Sequence, residues 1–233
     1  DLEAYGIRGC TSIANAASAG RALNYLVTKV TDNPLTIGIR NENTIATQDW
    51  LGVSNLHVKY YETLKDAEPY IDKTLECMQA RANVIINFVP STGSDYAQFP
   101  GCPKELTGKL QSAIDSIALC QSPEEKYALT ETFSNLFNEV LEARKAYVAM
   151  VDEALIILDI ANNLDEAEVI TPEQFKFACK KYEEVLDAFE HGTYTTEQAK
   201  EISALKETGF YPELVDGEYL LTSNAQLAYF GIK

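Results

Sequence analysis

Between residues 124 and 161 the sequence carries one unbroken apolar stripe at helical spacing, and any fold of this chain must place that stripe against something. Leu129, Phe133, Leu136, Val140, Ala143, Tyr147, Met150, Ala154, Ile157 and Ala161 follow one another in alternating steps of four and three. That average is the spacing of knobs-into-holes packing, so a long helix lying against other helices is expected. Ser122-Pro123-Glu124-Glu125 supplies its start, with a hydroxyl to accept an orphan N–H, a carboxylate to reach back, and proline at the first helical position. Beyond residue 147 the polar positions shrink to a seam through Asn138, Lys145, Asp152 and Asp159. A helix with so narrow a wet face is expected to be surrounded on most sides.

A second stripe spans 53–89: Val53, Leu56, Tyr60, Leu64, Ala67, Ile71, Leu75, Met78, Ala82, Ile85 and Val89. Its phase survives Pro69, which predicts one helix kinked there rather than two. Ile13, Ala16, Gly20, Leu23, Val27 and Val30 give a helix face over 11–30, ended by Pro34. Leu35, Ile37 and Ile39 alternate with polar residues, so a short β or extended segment is expected near 35–45. Residues 90–102 read as a loop, and Pro103 opens a helix facing inward through Leu106, Leu110, Ala113, Ile114 and Ile117. Thr171-Pro172-Glu173-Gln174 repeats the capping device before a helix whose C-terminal left-handed position suits Gly192. Thr195 to Gln198 opens a shorter helix reaching Gly209, and the tail 210–233 is aromatic and has no helical period. The expected fold is all-α: an up-and-down four-helix bundle over 1–163, with a C-terminal helical extension and aromatic tail over 164–233.

The charge narrows the partners. Thirty-five acids against nineteen bases leave −16, which argues against nucleic acid and against adhesion to anionic lipid. No apolar run reaches the roughly 18–20 residues of a membrane span, so the chain is expected to be peripheral to a membrane at most. It opens at Asp1 without a charged-then-apolar leader, which reads as a targeting segment removed or a chain trimmed. Up-and-down topology would bring Cys10 near Cys102 and Cys77 near Cys120. One or two disulfides in an oxidising lumen, or buried thiols in a reducing compartment, are both compatible with that placement.

Catalytic vocabulary is sparse. Only His57 and His191 occur, and neither has glutamate three residues before it, so the di-iron carboxylate pattern fails. His57 reads as packed beside the apolar stripe, and His191 as complementing a helix dipole. Residues 163–174 imitate a calcium loop at Asn163, Asp165, Ile170 and Thr171, but place Glu168 where glycine is wanted and Gln174 where a bidentate carboxylate is needed. Ser203-Ala204-Leu205-Lys206 lacks the partner motifs of a serine–lysine nucleophile. Thr107-Gly108-Lys109 lacks the rest of a phosphate loop. No metal, no cofactor and no catalytic residue is expected.

Lys104-Glu105-Leu106-Thr107-Gly108-Lys109-Leu110, then Ile114-Asp115, Ser122-Pro123, Lys126-Tyr127 and Asn138-Glu139-Val140-Leu141 resemble the third and fourth helices of PsbQ-type extrinsic proteins of photosystem II. Pro69, Ile71, Leu75, Ala82 and Ile86 resemble that family's second helix, so the likeness covers about 65–141. It implies a non-enzymatic four-helix bundle on the luminal face of photosystem II, in the thylakoid lumen of a chloroplast, shielding the oxygen-evolving centre and helping it retain calcium and chloride. The chain departs from the family's basic plant members in its acidic charge, and its last third has no counterpart there. The functional expectation is therefore a structural accessory subunit docked on a larger complex of photosystem core or antenna subunits. Phe210, Tyr211, Tyr219, Tyr229 and Phe230 are the expected docking residues, since aromatics anchor interfaces; the other reading of them is packing across the bundle. The alternative function is a carrier of a small apolar ligand held beside Met78, Phe133, Phe137 and Tyr147.

Overall fold

The computed structural model describes residues 25–30, 57–87, 101–205, 213–215 and 218–220. Five helices occur among them: α1 (Leu64–Ile86), α2 (Lys104–Ile117), α3 (Pro123–Glu166), α4 (Pro172–His191) and α5 (Thr196–Ser203). Two three-residue strands, β1 (Glu213–Val215) and β2 (Glu218–Leu220), pair antiparallel with Leu214 opposite Tyr219. The body is all-helical.

Helix α3 organises everything else. It runs 44 residues without a break, about 66 Å at the standard helical rise. All ten residues of its predicted stripe are buried, and the four seam residues are exposed. Its start is the expected capping box: Ser122 Oγ accepts from the Glu125 N–H at 3.2 Å, and Glu125 Oε2 accepts from the Ser122 N–H at 3.2 Å. Thr171 with Gln174, and Thr195 with Gln198, build the same reciprocal pair at the heads of α4 and α5.

The other helices divide between its two halves. Along the first half α1 runs parallel to α3: Lys126 Nζ is 2.8 Å from both Glu68 and Asp72, and the Arg81 guanidinium lies 4.3 Å from the Phe137 ring centre. There α2 runs antiparallel, and Lys109 reaches Glu139 at 3.3 Å. One core cluster joins Ile71, Leu75, Leu106, Leu110, Phe133 and Val140 from these three helices. Along the second half α4 folds back, so that Phe189 meets the Tyr147–Met150 level and Ala178 meets Ile157 and Ala161. Helix α5 returns in the direction of α3, carrying Ala199 to Tyr147 and Leu205 to Ile157. Among the described residues two helices thus accompany α3 at each level; the first helix of the expected four-helix bundle lies outside them up to residue 24. The expected boundary at 163/164 falls inside α3, three residues before its end.

Three expectations are corrected. The stripe expected from residue 53 is not helical over 57–63, because Thr63 caps a helix that starts at Leu64, its hydroxyl accepting from the Asp66 N–H at 3.2 Å; residues 53–56 lie outside the described residues. Residues 57–61 ahead of it are non-helical; Tyr60 is 81 % exposed rather than inward, and His57 is exposed rather than packed. Pro69 is accommodated inside α1 as one helix. The 11–30 helix does not extend to its last residues: 25–30 lie non-helically across the bundle, with Val27 against the core and the Lys29 N–H donating to Tyr127 Oη at 3.1 Å. Val27, Thr28 and Val30 are β-branched and gain little from a helix. Third, α3 is not covered on most sides in its second half, where Leu155 and Ile156 are 46 % and 45 % exposed. Two smaller differences concern helix ends: Pro103 is the N-cap of α2 rather than its first residue, and α5 ends at Ser203, short of Gly209. The extended segment expected near 35–45 lies outside the described residues.

Helix α3 ends on a left-handed residue that is not glycine. Glu168 has φ +56°; the Val169 N–H returns to Leu164 O at 2.9 Å and the Glu168 N–H to Asp165 O at 3.0 Å. This is the Schellman closure, in which glycine avoids the Cβ strain of the left-handed region. Glu168→Gly is expected to raise stability by about 1 kcal/mol, read as a higher urea midpoint with an unchanged m-value.

Candidate functional site

The midpoint of α3 is where the two halves are tied together. The C-terminal end of α4 meets the N-terminal end of α2 there. The Gly101 N–H donates to Phe189 O at 2.6 Å, and the Lys104 N–H donates to Gly192 O at 3.0 Å. Each bond satisfies a group that a helix end leaves orphaned, and the negative end of one helix dipole faces the positive end of the other. Tyr147 of α3 is buried beneath this junction and its hydroxyl donates to Tyr194 O at 2.5 Å. Burial raises the Tyr147 phenol and pushes the Cys102 thiol up to about 11. Arg144 is lowered, first by burial and further by the nearby Arg81 cation. A thiol held protonated in this way is no nucleophile at neutral pH.

Beside the junction a groove of about 500 Å³ opens between α2, the middle of α3 and α5. Most of the residues lining it are polar or charged. Lys109 lies 2.9 Å from Glu105 and 3.3 Å from Glu139, and Glu142 pairs with Lys145 at 2.9 Å. Asn135, Asn138, Glu197 and Lys200 complete much of the rim. The ion pairs fix the chemistry available. Hydrogen bonds that Lys109 donates to Glu105 and then Glu139 raise it, and the hydrogen bond donated by Lys145 lowers Glu142. Both shifts move away from neutrality. General acid–base work needs the reverse, a carboxyl pushed up or an ammonium pushed down towards the working pH. These side chains hold charge and position; they are not poised to transfer a proton.

The residues singled out from sequence do not converge. Of the five aromatic docking residues only Tyr219 is described, paired through its backbone with Leu214; Phe210, Tyr211, Tyr229 and Phe230 lie outside. Cys102 is a buried thiol and Cys120 a half-buried one; Cys10, the partner considered for Cys102, lies outside the described residues. His191 sits in the last turn of α4, its Nδ1 3.1 Å from the Asp187 carboxylate, as its place beside Gly192 implied. The side chains proposed for an apolar ligand are core instead: Phe133 and Phe137 stack with ring centres 6.0 Å apart, and Tyr147 belongs to the neighbouring cluster. Among the described residues no group of three or more histidine, cysteine or acidic side chains is gathered closely enough to hold a metal ion. No helix among them is long and apolar enough to cross a membrane. The polar groove itself was missed from sequence. Its lining comes from three helices whose relative placement no local pattern encodes.

No protein family, no curated protein and no solved structure matches the chain.

Proposed function

We propose that this protein is a non-enzymatic structural accessory subunit, docked on a larger assembly. The observation that carries this reading is the use made of α3: a 44-residue rod with helices packed along both halves, with Lys109 paired to Glu139 and Lys145 to Glu142 at its middle. Such a frame holds surfaces at fixed separation. It does not gather reacting groups.

The resemblance to PsbQ-type proteins names the assembly: the luminal face of photosystem II, with the chain in the thylakoid lumen. The residues of that resemblance occupy α1, α2, its junction to α3, and the first half of α3. The tail from Phe210 to Lys233 is the docking segment in this reading.

The test is rebinding to photosystem II membranes stripped of their extrinsic proteins. Saturable binding is expected, with oxygen evolution better retained at low calcium and chloride. Deleting 212–233 is expected to lower that binding at least tenfold while the helical circular-dichroism signal and its melting temperature stay within about 2 °C, because the deletion removes none of the three helical core clusters. Equal binding by the shortened chain refutes the docking role of the tail; no binding by the full chain refutes the photosystem assignment. Native mass spectrometry that finds an apolar ligand carried by the chain would favour the carrier reading instead.

A further inference from the structure

The two ends of α3 carry exposed surfaces of opposite character. At the first end, segments 25–30 and 57–61 lie beside α1. Lys59 Nζ donates to Tyr70 Oη at 2.6 Å, and Lys73 Nζ sits 5.3 Å from the Tyr25 ring centre and 5.5 Å from that of Tyr70. Lys29 Nζ sits 4.9 Å from the Tyr127 ring centre. Among the described residues these three lysines rest on rings and take part in no ion pair, in a chain where acids outnumber bases 35 to 19. Alternate residues of the same two segments are turned outward: Leu26, Val30, Val58 and Tyr60 are all exposed.

At the second end the outward face of α3 carries Leu155 and Ile156. Asp152 and Asp159, both exposed, stand three and four residues to either side, so each carboxylate neighbours both apolar side chains on the helix surface. Neither aspartate takes part in an ion pair among the described residues. The sites are complementary: lysines framing exposed apolar groups, and aspartates framing exposed apolar groups. From Tyr127 to Leu155 the helix rises about 42 Å, so a chain cannot bring its own two sites together. A second copy can.

We propose that this protein associates with itself head to tail, the Asp152–Leu155–Ile156–Asp159 face of one copy seating on the Lys59–Lys73–Tyr60 surface of the next. Such a contact is heterologous, so it builds rings or open rows rather than a two-fold dimer. Its charged part makes it salt-sensitive.

Sedimentation equilibrium at low salt tests this. The mean mass is expected to rise with concentration above the 25.8 kDa of one chain, and to fall back as salt is added. Lys59→Glu with Lys73→Glu, or Asp152→Lys with Asp159→Lys, is each expected to weaken association at least tenfold. Mixing the lysine-reversal variant with one carrying Leu155→Ser and Ile156→Ser decides the geometry, because each keeps the site the other has lost and the two altered sites repel, both being acidic: one-to-one pairs and nothing longer are expected. Leu155→Ser with Ile156→Ser provides a second route to the same loss without touching any charge. A chain that stays at one copy at all concentrations overturns the proposal. So does association indifferent to all three variant pairs, or lysine reversals that loosen attachment to membranes and leave the mean mass unchanged.

Discussion

Gly192→Ala is expected to lower the stability of this protein by about 3–4 kcal/mol. A Cβ at that position would stand 1.9 Å from the backbone oxygen of Cys102 and 2.6 Å from its carbonyl carbon. The backbone there is left-handed, with φ +63°, which costs a non-glycine residue about 1–2 kcal/mol before any contact is counted. Relief of the clash requires residues 101–103 to withdraw from the end of α4. Withdrawal breaks the Gly101–Phe189 and Lys104–Gly192 bonds together, each worth about 0.5–1.5 kcal/mol net. Gly108→Ala is the control: it lies exposed within α2 with nothing within 4 Å of its added Cβ, so it is expected to gain about 0.5–1 kcal/mol. Paired urea titrations followed by circular dichroism check both signs. A Gly192→Ala protein as stable as the parent would mean that the two halves are not joined where α2 meets α4.

Phe133→Ala is expected to cost about 3–5 kcal/mol, the range for removing a fully buried aromatic side chain. Phe133 is 0 % exposed and its ring is stacked with that of Phe137, inside the cluster that α1, α2 and α3 build together. The truncation leaves a cavity that three rigid helices cannot close. Leu155→Ala also truncates a large apolar side chain on the same helix, yet it is expected to change stability by no more than about 0.5 kcal/mol, because Leu155 is about half exposed to water. The same urea titration measures the contrast. Near-equal losses at the two positions would contradict the assignment of faces along α3.

Those faces were legible in the sequence because they depend on one period. All ten residues of the α3 stripe are buried, since a continuous helix holds phase however its partners arrive. The heads of α3, α4 and α5 were legible for the same reason: a hydroxyl and an acid or amide three residues apart close on each other locally. The start of α1 was misplaced although Thr63-Leu64-Lys65-Asp66 has the spacing of a helix cap, because the apolar phase upstream masked it. The hairpin within the tail also had a signal, Asp216-Gly217 between two short apolar runs, the dipeptide that favours two-residue turns. Other features had none. Nothing near Leu155 and Ile156 in the chain distinguishes them from buried neighbours, since their exposure depends on where α4 and α5 pack. The union of Gly101 with Phe189 spans 88 positions and joins two backbone groups that every residue possesses. The polar groove is a product of that same long-range placement.

The account rests on α3 being one straight rod. Spin labels introduced as unnatural amino acids at the exposed positions Glu131 and Asn163 measure it, without disturbing the native cysteines. Thirty-two residues of helix separate them, about 48 Å at the helical rise. Double electron–electron resonance is expected to give a single narrow distance distribution near that value. A distribution centred below about 35 Å, the separation left once the helix breaks near the α2–α4 junction and folds back, would contradict the rod and every reading built along it.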